Sequence, residues 1–186
     1  MILNSGELAD RMFVFKDGRH LSITPPPDQE QFRNEAGASV DLRLGRWFRT
    51  MRQAKLPLLD LTAPSAHSSF SREHFVPFDD FFILHPGSFA LGITLEWMSV
   101  PFDLAANVTG KSSLGRRGLI IETAAGIHPG FAGCLTLELA NVGEIPLGLK
   151  PGMSICQVVF QSIIGSGSKT SSQFHGARKP HLGKIS

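Results

Sequence analysis

The chain is expected to fold as an all-β protein, a distorted barrel or jelly roll carrying one short N-terminal helix. Three observations support this. Short apolar or alternating runs recur at close intervals along residues 81–161, and Pro-Gly turns at Pro86-Gly87, Pro129-Gly130 and Pro151-Gly152 punctuate them. The 186 residues, 42% of them hydrophobic, are enough for one core and too few for several domains.

Asn4 with Glu7 three residues later reads as a helix start, and the helix should run to about Met12 with Leu3, Leu8 and Met12 inward. Leu21-Ser22-Ile23-Thr24 alternates like a strand, which Pro25-Pro26-Pro27 ends by removing ladder donors. Asp28–Gly37 reads as a polar loop and Ala38–Leu44 as a strand, with Asp41 and Arg43 on one face in a cross-strand or intersubunit ion pair. A strand, a loop and an aromatic-rich crossing follow between Trp47 and Phe78, with Ser65–Ser69 as a polar piece. Phe70, Phe75, Phe78, Phe81, Phe82 and Phe89 lie too close together for a base-stacking platform and are expected to pack between sheets. Further strands are expected at Phe81–Leu84, Phe89–Trp97, Ala105–Val108, Leu119–Thr123, Cys134–Asn141, Ile145–Leu149 and Ile155–Gln161. Residues 1–164 then form the domain. From Gly165 the Gly/Ser-rich composition marks residues 165–186 as a flexible tail, either a free end or a lid that orders over a ligand.

A net charge of +2 gives no footprint for nucleic acid. No apolar run has transmembrane length and no leader is evident, so the expectation is a cytoplasmic protein with neither nucleic-acid nor membrane partner. The two cysteines, Cys134 and Cys156, stand apart, and the seven histidines lack ligand spacing. That excludes the zinc-deaminase signature, in which H-x-E precedes P-C-x-x-C. Two reduced strand thiols are expected.

Two stretches carry candidate chemistry. Gly110–Gly118 offers small residues, the hydroxyls of Ser112 and Ser113, and the cations Lys111, Arg116 and Arg117, a set suited to polyphosphate. It is not a Walker A loop, and a solvated basic turn between strands is the plain alternative. In Cys134–Ala140, alternation puts Cys134, Thr136, Glu138 and Ala140 on one face and Leu135, Leu137 and Leu139 on the other. Glu138 is an ordinary exposed residue if its face meets water, and a proton shuttle if its face lines a cavity.

The runs G-K-S-S-L-G-R-R-G-L, H-P-G-F-A-G-C-L-T-L-E-L-A-N and P-G-M-S-I-C-Q resemble the dCTP deaminases of the dUTPase-like superfamily. Ser39–Gly45 and Leu84–Leu91 with Thr94 and Glu96 extend the likeness from the first helix to about Ser162. The resemblance implies a homotrimer with active sites shared between subunits and a metal-independent hydrolysis of dCTP to dUTP. Glu138, Ser112 and Arg116 would be the catalytic group. Glu138 would move the proton, while Ser112 and Arg116 would hold the water and the carboxylate. Substrate contacts would come from Lys111, Ser113, Leu114, Gly115, His128, Phe131, Thr136, Leu137, Phe174 and Arg178. There would be no catalytic metal, Mg²⁺ would arrive on the triphosphate, and dTTP is a candidate inhibitor.

The chain departs from the family pattern at two places. His128 stands where members carry Asp, after a turn one residue shorter; in dUTPases that Asp activates water, so His128 argues against phosphatase chemistry, though it can still meet a deoxyribose hydroxyl. In the tail, Gln173-Phe174-His175-Gly176-Ala177-Arg178-Lys179-Pro180 lacks the usual Lys and Gln, and the chain has no tyrosine. Arg178 and Lys179 remain for the phosphates. The alternatives are a bifunctional deaminase and diphosphatase, a plain dUTPase, and a nucleotide-binding regulator without turnover.

Overall fold

The computed structural model describes residues 1–15, 17–34, 37–51, 70–122, 126–165 and 174–183. Its strands are β1 (Ser22–Thr24), β2 (Val40–Arg43), β3 (Trp47–Met51), β4 (Ser71–Phe75), β5 (Phe82–Leu84), β6 (Phe89–Ile93) and β7 (Trp97–Ser99). They continue as β8 (Leu104–Gly110), β9 (Leu119–Glu122), β10 (Gly126–Ile127), β11 (Ala132–Gly133), β12 (Thr136–Asn141), β13 (Leu147–Leu149) and β14 (Ser154–Ser162). The fold is mostly β, as expected. The strands do not close into one barrel: the described residues form four open sheets, ordered β1-β7-β11, β10-β8-β14-β2, β4-β3-β6-β12-β9 and β13-β5, around one apolar core.

At the N-terminus, Asn4 Oδ1 accepts from the Glu7 amide at 2.9 Å and starts α1 (Ser5–Ala9). The helix continues as a π-helical turn over Asp10–Val14, and Leu3, Leu8 and Met12 are buried as expected. The loop expected at Asp28–Gly37 instead contains a helix, α2 (Gln29–Asn34). The Asp28 carboxylate accepts from the Gln31 amide at 2.8 Å and Phe32 is buried, so a cap and one apolar anchor suffice for a helix where polar composition suggested none.

The run expected as one strand over Phe89–Trp97 splits into β6 and β7. Thr94 explains the break: its amide bonds the Leu135 carbonyl, and its hydroxyl donates to the Glu96 carbonyl while accepting from the Leu135 amide, both at 2.9 Å. The backbone thereby leaves the β6 ladder and crosses to β7. The ion-pair expectation for β2 holds within the chain, because Arg43 Nε donates to buried Glu96 at 2.6 Å and Asp41 meets Lys111.

The phenylalanine expectation needs correction. Phe70 and Phe82 are buried, and Phe82 stacks on Phe48 at 4.2 Å, but Phe75, Phe78, Phe81 and Phe89 are exposed. Cations cover three of these rings: Arg46 lies 4.3 Å from Phe75 and 4.7 Å from Phe78, and Lys150 lies 5.6 Å from Phe81. The expected flexible piece at residues 65–69 falls outside the described residues.

Strand β12 lies between β6 and β9, and its burial alternates as the sequence requires, with Leu137, Leu139 and Asn141 inward and Thr136, Glu138 and Ala140 half-buried on the other face. Buried Asn141 closes its end, donating to the Leu84 and Ile145 carbonyls and accepting from the Gly143 amide, each at 2.9 Å. Leu139→Ala should cost about 2–5 kcal/mol through the cavity it leaves. A urea titration should show a lowered midpoint, and an unchanged midpoint would remove β12 from the core.

Candidate active site

The register of the five-stranded sheet places one row across its outer face. Arg49 is opposite Glu73 on one side and Leu91 on the other, Leu91 is opposite Glu138, and Glu138 is opposite Glu122. Residues directly opposite share a face and bring their Cβ atoms within roughly 5 Å. Glu138 and Glu122 are therefore two facing carboxylates, and no cation among the described residues pairs with either. Glu138 is half-buried and accepts no hydrogen bond from a described side chain or amide outside its ladder. Beside it, the Thr136 hydroxyl is buried with no hydrogen-bond partner among the described residues.

The candidate phosphate loop is a single helical turn, α3 (Ser112–Gly115), between β8 and β9 rather than an irregular turn. Gly118 ends it at φ +89°, where a Cβ would meet the Gly143 amide nitrogen at 2.8 Å. Leu114 packs on the core, while Ser112, Ser113, Gly115 and Arg116 are exposed. The side chains of Ser112 and Arg116 make no hydrogen bond within the described residues, and no described residue ties them to Glu138. Lys111 is committed elsewhere: its ammonium bonds Asp41 and lies 3.0 Å from Ser154 Oγ.

His128 is exposed ahead of a turn in which Gly130 (φ +76°) abuts Phe102. Half-buried Phe131 follows, its carbonyl accepting from Val100 at 2.8 Å. The shortened turn before His128 runs through residues 123–125, outside the described set.

Residues 174–183 of the expected flexible tail are docked. Gly176 donates to the Ala132 carbonyl at 2.8 Å, and Cys134 donates to the Ala177 carbonyl at 2.9 Å. Arg49 Nε reaches the Pro180 carbonyl at 3.2 Å, Lys179 lies 3.7 Å from the Trp47 ring and 3.3 Å from Glu73, and Arg178 lies 5.0 Å from Trp97. Phe174 is half-buried, 6.3 Å from His181. The tail thus crosses the face that carries the Arg49 row. Arg49, Glu73, Glu122, Trp47 and Trp97 did not stand out in the sequence. The Trp47-x-Arg49 alternation put two side chains on one face, but only strand register reveals that the face is also that of Glu138.

Burial drives the Cys156 thiol up to about 12, and burial also raises Cys134 despite nearby Arg178. Both are therefore protonated at neutral pH. Cys134 precedes β12 rather than lying within a strand. Among the described residues no group of three or more His, Cys, Asp or Glu side chains could hold a metal ion, and no helix is long and apolar enough to cross a membrane.

Residues 2–163 match the family model described as dCTP deaminase-like. Over 191 residues the chain is 36% identical to a protein named dCTP deaminase from Natronomonas pharaonis, covering 100% of this chain and 95% of that one. It is 38% identical over 172 residues to "dCTP deaminase, dUMP-forming" from Methanothermobacter thermautotrophicus, covering 89% and 86%. The crystal structure of 2'-deoxycytidine 5'-triphosphate deaminase from Agrobacterium tumefaciens shares the fold, with a TM-score of 0.61 and 23% identity over 86% of this chain and 46% of that one. The chain belongs to the dCTP deaminase-like family.

Burial, the largest influence on Asp41, pushes its carboxyl up, but hydrogen bonds from Lys111, Gln157 and Ser154 outweigh it and hold the carboxyl below its ordinary value. A carboxyl lowered on folding stabilises fully above its unfolded value, and the stabilisation is lost as pH falls through the folded value. The stability difference between the wild type and Asp41→Asn should therefore shrink as pH drops from about 5 to about 3. Urea midpoints across that range test this, and a difference independent of pH would contradict it.

Proposed function

We propose that the chain hydrolyses dCTP to dUTP and ammonia, with Glu138 carrying the proton. The supporting observation is the facing pair Glu138 and Glu122, which has no cation of its own among the described residues, while Ser112 and Arg116 stand exposed and unengaged on α3. Facing like charges are unfavourable in a sheet, and a guanidinium placed between them offsets that. A homotrimer in which Ser112 and Arg116 of a neighbouring subunit reach Glu138 satisfies both ends at once.

In this reading Glu138 takes a proton from water as its oxygen attacks cytosine C4. The C4–N4 bond then breaks as the leaving nitrogen accepts the proton Glu138 holds, so ammonia departs, and the second water proton passes to N3, leaving C4 with a carbonyl oxygen. Ser112 positions the water, and Arg116 stabilises the charge on the carboxylate and the intermediate. Thr136 and Leu137 flank Glu138 on β12, where the Thr136 hydroxyl has hydrogen-bonding capacity to spare. Phe131 offers a ring to the sugar and base, and His128 a hydrogen bond to a deoxyribose hydroxyl. Ser113, Leu114 and Gly115 shape the phosphate side, Lys111 holds the loop through Asp41, and Phe174 closes over it from the tail. Mg²⁺ enters on the triphosphate, where it neutralises phosphate oxygens. dTTP, sharing that triphosphate, is a competitor for the same groups.

A second reading, deamination followed by release of pyrophosphate to give dUMP, is favoured by the Methanothermobacter relative, which is named as dUMP-forming, and disfavoured by His128. Chromatography after incubation with dCTP separates the two by their nucleotide product.

Glu138→Gln should abolish ammonia release, a loss of at least about 10²-fold for a missing acid-base group, with nucleotide affinity largely kept. Refolding Glu138→Gln together with Arg116→Ala should restore part of the activity, because mixed assemblies contain sites with both groups intact. An active Glu138→Gln enzyme would refute the mechanism, and a mixture without recovery would refute shared sites.

A further inference from the structure

A cavity of about 570 Å³ opens beside the Glu138 row, with Arg46, Trp47, Phe75, Trp97, Cys134 and Arg178 in its wall. Its volume lies in the range of small-molecule sites, roughly 300–1,000 Å³. Neither Glu138 nor any residue of α3 contributes to its wall. Three features describe what it would hold. The first is aromatic: both tryptophans of the chain and Phe75 face it. The second is cationic: Arg46 and Arg178 line it, and among the described residues neither is paired with a carboxylate, whereas Arg11, Arg19, Arg33, Arg43 and Arg49 all are. The third is the lack of an opposing charge, since no Asp or Glu stands in the wall and burial keeps the Cys134 thiol neutral.

Arg46 and Arg178 instead rest against rings, Arg46 on Phe75 and Phe78 and Arg178 on Trp97. Arg46 Nε also donates to the Val76 carbonyl at 3.4 Å, so its two terminal NH2 groups are what a guanidinium stacked in this way offers to an anion. We propose that the cavity is a second ligand site, separate from the Glu138 centre, for a planar aromatic molecule bearing a phosphate, of the size of a nucleoside monophosphate. The ring packs against the indoles and the phosphate meets Arg46 and Arg178. Arg178 belongs to the docked segment 174–183, so occupancy ties the tail to the sheet face. The inference stands apart from the deaminase reading and does not require turnover.

The chain supplies its own reporter. It has two tryptophans and no tyrosine, so its intrinsic emission comes from Trp47 and Trp97, both in the cavity wall. The probe is adenosine monophosphate, which has a ring and a phosphate but no cytosine to engage Glu138. Titration of the full-length protein should change the emission saturably. Arg178→Ala, at an exposed position that leaves the core untouched, should weaken the apparent affinity roughly tenfold or more. Arg46→Lys should weaken it as well, with the thermal midpoint of each variant confirming the fold. Arg116→Glu, which puts a negative charge on the α3 side of the Glu138 centre and lies outside the cavity wall, should bind as the wild type does. Emission unchanged at millimolar probe, equal binding of adenosine without its phosphate, or loss of binding in Arg116→Glu would each overturn the proposal. The last would place the probe in the Glu138 centre instead.

Discussion

The structure depends on the alternation of β12 within its sheet. Leu137 and Leu139 are wholly buried and lock the strand between β6 and β9, so Glu138 must point outward. Slipping the register by one residue would bury the carboxylate and expose the leucines, a change the core strongly resists. Gly92 keeps the packing close, since a Cβ there would stand 2.9 Å from Leu139 Cδ1. Asn141 then fixes where the strand stops, through three hydrogen bonds to the turns around it. The position of Glu138 is thus a consequence of apolar burial on the opposite face.

Charge is distributed with the same economy. Cations that hold the scaffold are matched to carboxylates: Arg11 to Glu7 and Asp103, Arg43 to Glu96, Arg49 to Glu73, Lys111 to Asp41. Buried Glu96 also accepts from the Arg43 amide at 2.8 Å, so it binds backbone and side chain together. Lys111 anchors the entrance of α3, while Arg116 at its exit remains exposed. Within one basic stretch, Lys111 is paired, while the Arg116 side chain makes no hydrogen bond or ion pair among the described residues.

The docked tail extends the same sheet face. Two backbone hydrogen bonds join it to Ala132 and Cys134, just ahead of β12, and two cations settle on Trp47 and Trp97. Backbone pairing tolerates changes of side chain, so the segment docks with Ala177 where the resemblance leads to a Gln. The indoles receive Arg178 and Lys179 by ring electrostatics, without a carboxylate partner being required at Arg178.

The sequence by itself determined the strand pattern, the cap at Asn4, the two faces of β12 and the likeness to the dCTP deaminases, because these are written in local periodicity and contiguous motifs. It misread Asp28–Gly37, where one capping carboxylate and buried Phe32 outweighed polar composition, and Phe75, Phe78 and Phe81, whose rings are covered by cations distant in sequence. Only the tertiary structure decided that Arg49, Glu122 and Glu138 share a row, that Lys111 is held by Asp41, and that both tryptophans face one cavity. Those facts are pairings between strands far apart in the chain. Register and sheet order set them, and neither is encoded in the spacing of residues along a single strand.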